Sequence, residues 1–280
     1  MTNIFDNRSI PSNNRVGWIR ANPKCIAKNL VDGELCSITS NYANLLSEPS
    51  GNRVRQLVYG DTFRVLEKRS GFSFGFNSFD GYVGYIKSDN LEKKIVKSTH
   101  WVSSLSSQVY ASPDIKKDFL INLPFGAQVE IIEIKESFCE TSDGGFVPTQ
   151  HLTKMNKFYS DAALVANFFI GTPYLWGGNT CWGIDCSGLM QAAFRACGVV
   201  LPADSDQQEA RCIILDEPSK FKRNDLIFWD GHVALAVDDK NLIHANAFHM
   251  SVTLEPINVV IKRMQLECKK EYRLCRFKEN

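Results

Sequence analysis

A Gly-punctuated pattern of short strands occurs twice in succession, and it restricts the first half of the chain to small β-units. Tyr59-Gly60-Asp61-Thr62-Phe63-Arg64-Val65 aligns with Phe125-Gly126-Ala127-Gln128-Val129-Glu130-Ile131. Further on, Asp80-Gly81-Tyr82-Val83 aligns with Gly144-Gly145-Phe146-Val147. The offset is 66 residues from Gly60 to Gly126 and 64 from Val83 to Val147. Phe63 alternates with Val65, and Phe72, Phe74 and Phe76 alternate with small or polar residues, which is the period of a half-buried strand. Such a repeat predicts two small β-barrels in tandem, over 33–95 and 96–155. Residues 1–32 are polar and rich in Asn, Arg and Pro, and predict an N-terminal arm with little core of its own.

The character changes near residue 156. Ser160 is a good N-cap, Leu164, Val165, Phe168 and Phe169 follow at helical spacing, and Gly171 is a stop. A Gly-rich loop leads into a second helix over about 186–197, ended by Gly198. Strands are then predicted over Leu226 to Trp229, His232 to Val237, Leu242 to Ala245 and Val252 to Pro256. Helices followed by consecutive strands predict an α+β domain with an antiparallel sheet over 156–280.

Composition narrows the function classes. With 44% hydrophobic and 22% charged residues, the 280-residue chain is an ordinary globular one and not a disordered one. Lys plus Arg is 32 against 31 for Asp plus Glu, so charge gives no general reason to bind nucleic acid or an anionic membrane. No apolar run approaches the roughly 20 residues of a membrane span. The start, Met1-Thr2-Asn3-Ile4-Phe5-Asp6-Asn7-Arg8, lacks the basic and apolar stretches of a secretory signal, so the expected location is the cytoplasm. Nine cysteines without a repeating paired spacing fit reduced thiols better than a disulfide framework.

One cysteine asks for a chemical explanation. Cys186 lies where the loop Pro173-Tyr174-Leu175-Trp176-Gly177-Gly178 to Gly183-Ile184-Asp185 turns into a helix. Free N–H groups and partial positive charge at a helix start favour a thiolate, so a cysteine there can have a depressed pKa. The same N–H groups can stabilise an oxyanion. A nucleophile also needs a base and an orienting partner. His232 opens an apolar strand after Asp230-Gly231, and His244 lies 12 residues on, so a hairpin sets the two imidazoles side by side. Cys186 is then the nucleophile, His232 the base and His244 the group that holds its ring. The same residues have other readings: a structural cysteine, hydrogen-bonded core histidines, or a zinc site with Cys181 as fourth ligand, although the spacing matches no familiar zinc pattern. Trp176 and Trp182 are expected to be packing residues.

These motifs resemble the NlpC-type cysteine peptidases, which share a papain-like fold and cut bacterial cell-wall peptides. The matching marks are Tyr174-Leu175-Trp176-Gly177-Gly178, Asp185-Cys186-Ser187-Gly188-Leu189, Asn224-Asp225-Leu226, Gly231-His232-Val233 and Ile243-His244-Ala245. The two repeats resemble the bacterial SH3-type barrels that often precede this domain. The fold class implied is therefore multidomain: two all-β SH3-like barrels followed by an α+β papain-like catalytic domain. Within the family, a subgroup with such barrels cuts the γ-D-glutamyl-L-diamino-acid bond of free muropeptides that begin with L-Ala.

The resemblance implies Cys186, His232 and His244 as the catalytic triad. It implies Tyr174 beside the nucleophile, and Asp185, Ser187, Asp204 and Ser205 as substrate contacts. In the first barrel it implies Asp61 and Tyr85 as the groups that recognise the substrate amine, with the second barrel mainly scaffold. Asn224 stands where the family usually has Gly, and Ala203 where the subgroup often has Arg. His100, His151 and His249 match nothing catalytic. No cofactor or metal is implied, and the expected partner is a small peptide substrate, with no nucleic acid and no membrane. An amidase or acyltransferase on the same Cys-His scaffold, or a non-catalytic binder of wall peptides, are the alternative functions.

Overall fold

The structure is a computed structural model that describes residues 6–21, 26–95, 97–215, 220–269 and 271–276, with the side chains of Glu267 and Cys268 outside the description. The chain forms two compact units, Met1–Lys157 and Phe158–Asn280. Among the described residues, no helix is long and apolar enough to cross a membrane.

The N-terminal unit is all β. Its first part is a seven-stranded antiparallel sheet in the order Arg53–Val58, Tyr42–Leu46, Val83–Lys87, Phe72–Asn77, Thr62–Arg69, Glu34–Ile38, Leu91–Glu92. Ile38, Leu45, Leu57, Phe63 and Ile86 are fully buried within it. The second part has a five-stranded sheet, in the order Phe119–Pro124, Ser106–Tyr110, Phe146–Pro148, Phe138–Thr141, Ile131–Ile134. A three-stranded sheet of Gln128–Val129, His100–Val102 and Leu152–Lys154 completes it. Val102, Val109, Leu123, Ala127, Val129 and Val147 form its core.

The sequence repeat recurs as a hydrogen-bond repeat. Gly60 N donates to Ile38 O at 2.9 Å, and Gly126 N donates to Val102 O at 2.9 Å. Ile38 N donates to Asp61 O, and Val102 N to Ala127 O. Both glycines have φ of 82°. At Gly60 a second constraint is added, because a Cβ there would stand 2.3 Å from Gln128 O of the following barrel.

The N-terminal arm is packed, contrary to the expectation of little core. Val16–Trp18 pairs in parallel with Asn29–Val31. Val16 joins Leu66, Phe74 and Phe76 in a buried cluster, with Trp18 and Val31 against it. Trp18 stacks on Phe76 at 4.9 Å between ring centroids. Arg15 adds a two-pronged hydrogen bond to Glu67. The arm's apolar residues are too few and too irregularly spaced to signal a strand, and they find their partners only on the barrel.

Among its described residues the C-terminal unit carries four helices: α1 Ala162–Asn167, α2 Cys186–Ala196, α3 Ser205–Glu209 and α4 Ile257–Cys268. Asp161, one residue after the expected Ser160, is the N-cap of α1 and accepts from Ala163 N. Asn224, with φ of 71°, accepts from the same N–H at 2.8 Å, so its side chain does work that a glycine could not. The six-stranded antiparallel sheet runs Ile213–Ile214, Arg273–Arg276, Leu226–Trp229, His232–Ala236, Asn241–Asn246, Ser251–Pro256. Its central strands are continuous buried runs, as expected for a sheet covered on both faces. Helix α4 and the strand Arg273–Arg276, both absent from the sequence-based expectation, pack Ile257, Val260 and Leu274 against Ile227, Ala234, Ala236 and Leu242.

Trp18→Ala should cost about 3 kcal/mol of stability, as for a large aromatic removed from a packed cluster. Urea unfolding followed by circular dichroism measures it; an unchanged midpoint would mean that the arm is not part of the core.

Candidate active site

Cys186 is the first residue of α2, because Asp185 stops the loop and caps the helix. Asp185 Oδ1 accepts from Gly188 N at 2.7 Å and from Ser187 Oγ at 3.2 Å, while Oδ2 accepts from Gly177 N at 2.7 Å. One carboxylate therefore anchors both the Gly-rich loop and the helix start. Asp185 and Ser187, expected to touch substrate, are bound to each other in this cap. The backbone N–H groups of Val233, Ser187 and Cys186 itself face the Cys186 sulfur, which places the thiol beside the strand that His232 opens.

The sheet brings the histidines together diagonally. Leu235 lies opposite Ile243 and Ala236 opposite Leu242, so His244 lies opposite Ala234 and one diagonal step from His232. Diagonal neighbours on one face are within reach of long or aromatic side chains. His232 Nε2 and His244 Nδ1 are 2.9 Å apart and the ring centroids 5.1 Å apart. Trp229, across the hairpin turn, packs on the other side of His232 at 5.7 Å.

A further diagonal step reaches Glu255, a residue that sequence reasoning missed. His244 lies opposite Thr253, and Glu255 is two residues on along the same strand. Glu255 Oε2 is 2.8 Å from His244 Nε2, and Arg263 of α4 donates to both of its oxygens at 2.8 Å. His249 Nε2 stands 3.2 Å from Oε1. A charge alternating with Val252 and Leu254 was the only signal, and it acquires meaning once the register is known.

Tyr174 is half-buried, its N–H bound to Met250 O. Its phenol pKa is raised, first by burial and then by the nearby Cys186 and Asp185, so Tyr174 keeps its proton and can donate. Asp204 and Ser205 begin α3, and the charge of Asp204 reaches Asp185. The loop before them is fixed by Gln191 Nε2 on Leu201 O and by Gln208 Nε2 on Pro202 O and Ser187 O. Trp176 and Trp182, expected to pack, are instead 68% and 42% exposed. They sit on the Gly-rich loop and its hairpin turn.

The first-barrel candidates separate. Asp61 is buried; Oδ2 accepts from Val58 N at 2.9 Å and Oδ1 from Gln128 Nε2 of the second barrel at 3.3 Å. This ties a turn and the two barrels together. The carboxylate near Tyr85 is Glu67: Asn13 Nδ2 lies 3.4 Å from both Glu67 Oε2 and Tyr85 Oη. His100 and His151 are held by the Thr99 and Ser107 hydroxyls.

Seven cysteines are free thiols, at 36, 139, 181, 186, 197, 212 and 275, while Cys25 and the side chain of Cys268 lie outside the described residues.

The NlpC/P60 family model matches residues 171–268, and that of the bacterial dipeptidyl-peptidase Sh3 domain matches residues 45–91. The chain is 31% identical over 208 residues to the gamma-D-glutamyl-L-lysine dipeptidyl-peptidase of Bacillus subtilis, covering 66% of this chain and 67% of that protein. The chain belongs to the NlpC/P60 family. It is a cysteine peptidase. It is also 25% identical to dipeptidyl-peptidase 6 of Lysinibacillus sphaericus, over 73% of this chain and 84% of the relative. An NlpC/P60 family protein from Bacillus cereus shares the fold, with a TM-score of 0.71 at 19% identity over 80% of this chain and 95% of that one.

In this NlpC/P60 peptidase the thiol is not activated by the helix start alone. Burial, with a smaller contribution from Asp185, pushes the Cys186 thiol up to about 12, overriding the N–H groups that favour the thiolate. This reverses the depression that a helix start can bring: desolvation of a charged sulfur outweighs the dipole. A thiol so raised becomes a nucleophile only when a base takes its proton.

Cys186→Ala should lower turnover at least about 10⁴-fold, the scale for removal of a nucleophile; residual activity near wild type would remove Cys186 from the chemistry. The network also sets a pH dependence of stability. Burial pushes the His244 imidazole below its ordinary value of 6.5, and Arg263 with His244 holds the Glu255 carboxyl far below its ordinary 4.5 against the opposing effect of burial. Both groups bind protons more weakly folded than unfolded, so falling pH favours the unfolded chain. Stability should therefore drop as pH falls below 6.5 and drop further below 4.5. Urea midpoints across this range test it; a flat profile would contradict the network.

Proposed function

We propose that this peptidase hydrolyses the γ-D-glutamyl-L-diamino-acid bond of peptidoglycan-derived peptides that begin with a free L-Ala, and that it acts on free muropeptides in the cytoplasm. The observation that carries this reading is the 31% identity over most of the chain to a peptidase named for γ-D-glutamyl-L-lysine cleavage; the His232–His244 pair and the Cys186 thiol beside the Val233 N–H support it. Intact wall lies outside the membrane, so a cytoplasmic enzyme of this kind would meet only released fragments.

The chemistry follows from the groups present. Cys186 Sγ attacks the γ-glutamyl carbonyl as its proton moves to His232. The developing oxyanion meets the N–H groups of the α2 start and the protonated Tyr174 hydroxyl. His232, now cationic, gives its proton to the leaving amine. A thioester between Cys186 and L-Ala-D-Glu remains. Water, deprotonated by His232, cleaves it and restores the thiol. No step calls on a group beyond the peptide, water and these side chains.

A cleavage assay with mass detection tests the substrate class. L-Ala-γ-D-Glu-meso-diaminopimelate, its L-lysine counterpart and their N-acetylated forms are each incubated with the protein and with Cys186→Ala. Release of L-Ala-D-Glu from the free-amine peptides by the native protein alone is the expected result. Equal cleavage of the acetylated forms would refute the free-amine requirement, and cleavage of none would refute the proposed bond.

A further inference from the structure

The hydrogen-bond chain that leaves His232 continues past His244, and its far end fixes where every proton in it sits. Arg263 is held against Glu255 by two hydrogen bonds of 2.8 Å, and its guanidinium is always charged. Glu255 is thus a carboxylate, which accepts and never donates. The proton of the 2.8 Å contact to His244 must then sit on His244 Nε2. His244 is 1% exposed, and a ring so buried carries a single proton at neutral pH. Its Nδ1 is therefore a lone pair, and His232 Nε2, at 2.9 Å, must be the donor to it. Neutral His232 then has no proton on Nδ1.

We propose that Glu255, clamped by Arg263, is a positioning residue that acts through His244 to keep His232 Nδ1 unprotonated and ready to take the proton of Cys186. Without the carboxylate, His244 is free to carry its proton on Nδ1 and donate it to His232 Nε2. The single proton of His232 would then move to Nδ1 and block the base. A wrong tautomer of this kind is the cost of losing the carboxylate in Ser-His-Asp enzymes; in this peptidase the carboxylate stands one ring further out. Glu255 has a second effect. When His232 becomes cationic, its Nε2 proton points at a neutral ring whose far side faces a negative charge, which favours the cation.

The inference rests on the Cys186-His232 peptidase reading but not on the identity of the peptide cut. Glu255 faces His244, His249 and Arg263, and Cys186 faces Asp185 and Tyr174. Replacement of Glu255 by Gln removes the negative charge that faces His244 and leaves Arg263 opposite it. The proton affinity of the pair falls.

In Glu255→Gln, kcat should fall about 10- to 100-fold, the scale for residues that orient a reacting ligand, with KM little changed. Both limbs of the pH profile of kcat/KM should move to lower pH. A residue that merely supports the fold would lower the amplitude without moving the limbs. Inactivation by iodoacetamide at neutral pH, mapped to Cys186, should slow in parallel; it needs no substrate and so stands even if the peptide proposed above is wrong. In a His244→Gln background, Glu255→Gln should add no further loss. Long-range ¹⁵N–¹H spectra of the native protein read the tautomers directly and depend on no variant. Protons on Nε2 of both rings are expected. A proton on Nδ1 of neutral His232, or a Glu255→Gln variant with the native pH profile, would overturn the proposal.

Discussion

Antiparallel register across three strands is the constraint on which the reaction centre depends. With Leu235 opposite Ile243 and His244 opposite Thr253, the residues His232, His244 and Glu255 descend one diagonal of the sheet. Side chains alternate strictly along a strand, so a slip of one residue in either pair would send an imidazole to the other face. The register is held by what surrounds it. Apolar residues bury both faces of the central strands, and α4 closes the face that carries the diagonal while supplying Arg263. The packing that stabilises the unit and the chemistry it performs therefore share one geometric cause.

Burial works both for and against this site. It withdraws Cys186 from water and pushes its thiol up, which disfavours a lone thiolate. It also removes the water that would screen an ion pair formed when a base takes the proton. The result is a nucleophile that is quiet until a base is in place. Asp185 contributes by structure rather than by charge transfer, since its oxygens are taken up by Gly177, Ser187 and Gly188. Tyr174 is kept protonated by the same burial and by the nearby Cys186 and Asp185.

Much of this was legible in the sequence. The Gly60 and Gly126 turns marked the repeat because a positive φ at the same point of two motifs is recorded as glycine at the same point of two sequences. The start of α2 and the hairpin bearing His232 and His244 were legible because capping, helical spacing and strand length are local. The rest depends on contacts distant in sequence. The arm's Trp18 looks like a stray aromatic until Phe76 is opposite it. The bond from Gln128 of the next barrel to Asp61 joins residues 67 apart and leaves no mark in either stretch of sequence. Glu255 looks like a surface charge on an alternating strand until Arg263, eight residues on, folds back over it.

Intact-mass analysis of the protein during turnover of L-Ala-γ-D-Glu-L-lysine, quenched in acid and mapped by peptide, addresses the central claim most directly. The expected result is a transient L-Ala-D-Glu thioester on the peptide that carries Cys186, absent from Cys186→Ala and from a His232 variant that cannot take the thiol proton. Turnover with no such adduct, or an adduct on Cys181 or any other thiol, would contradict the account.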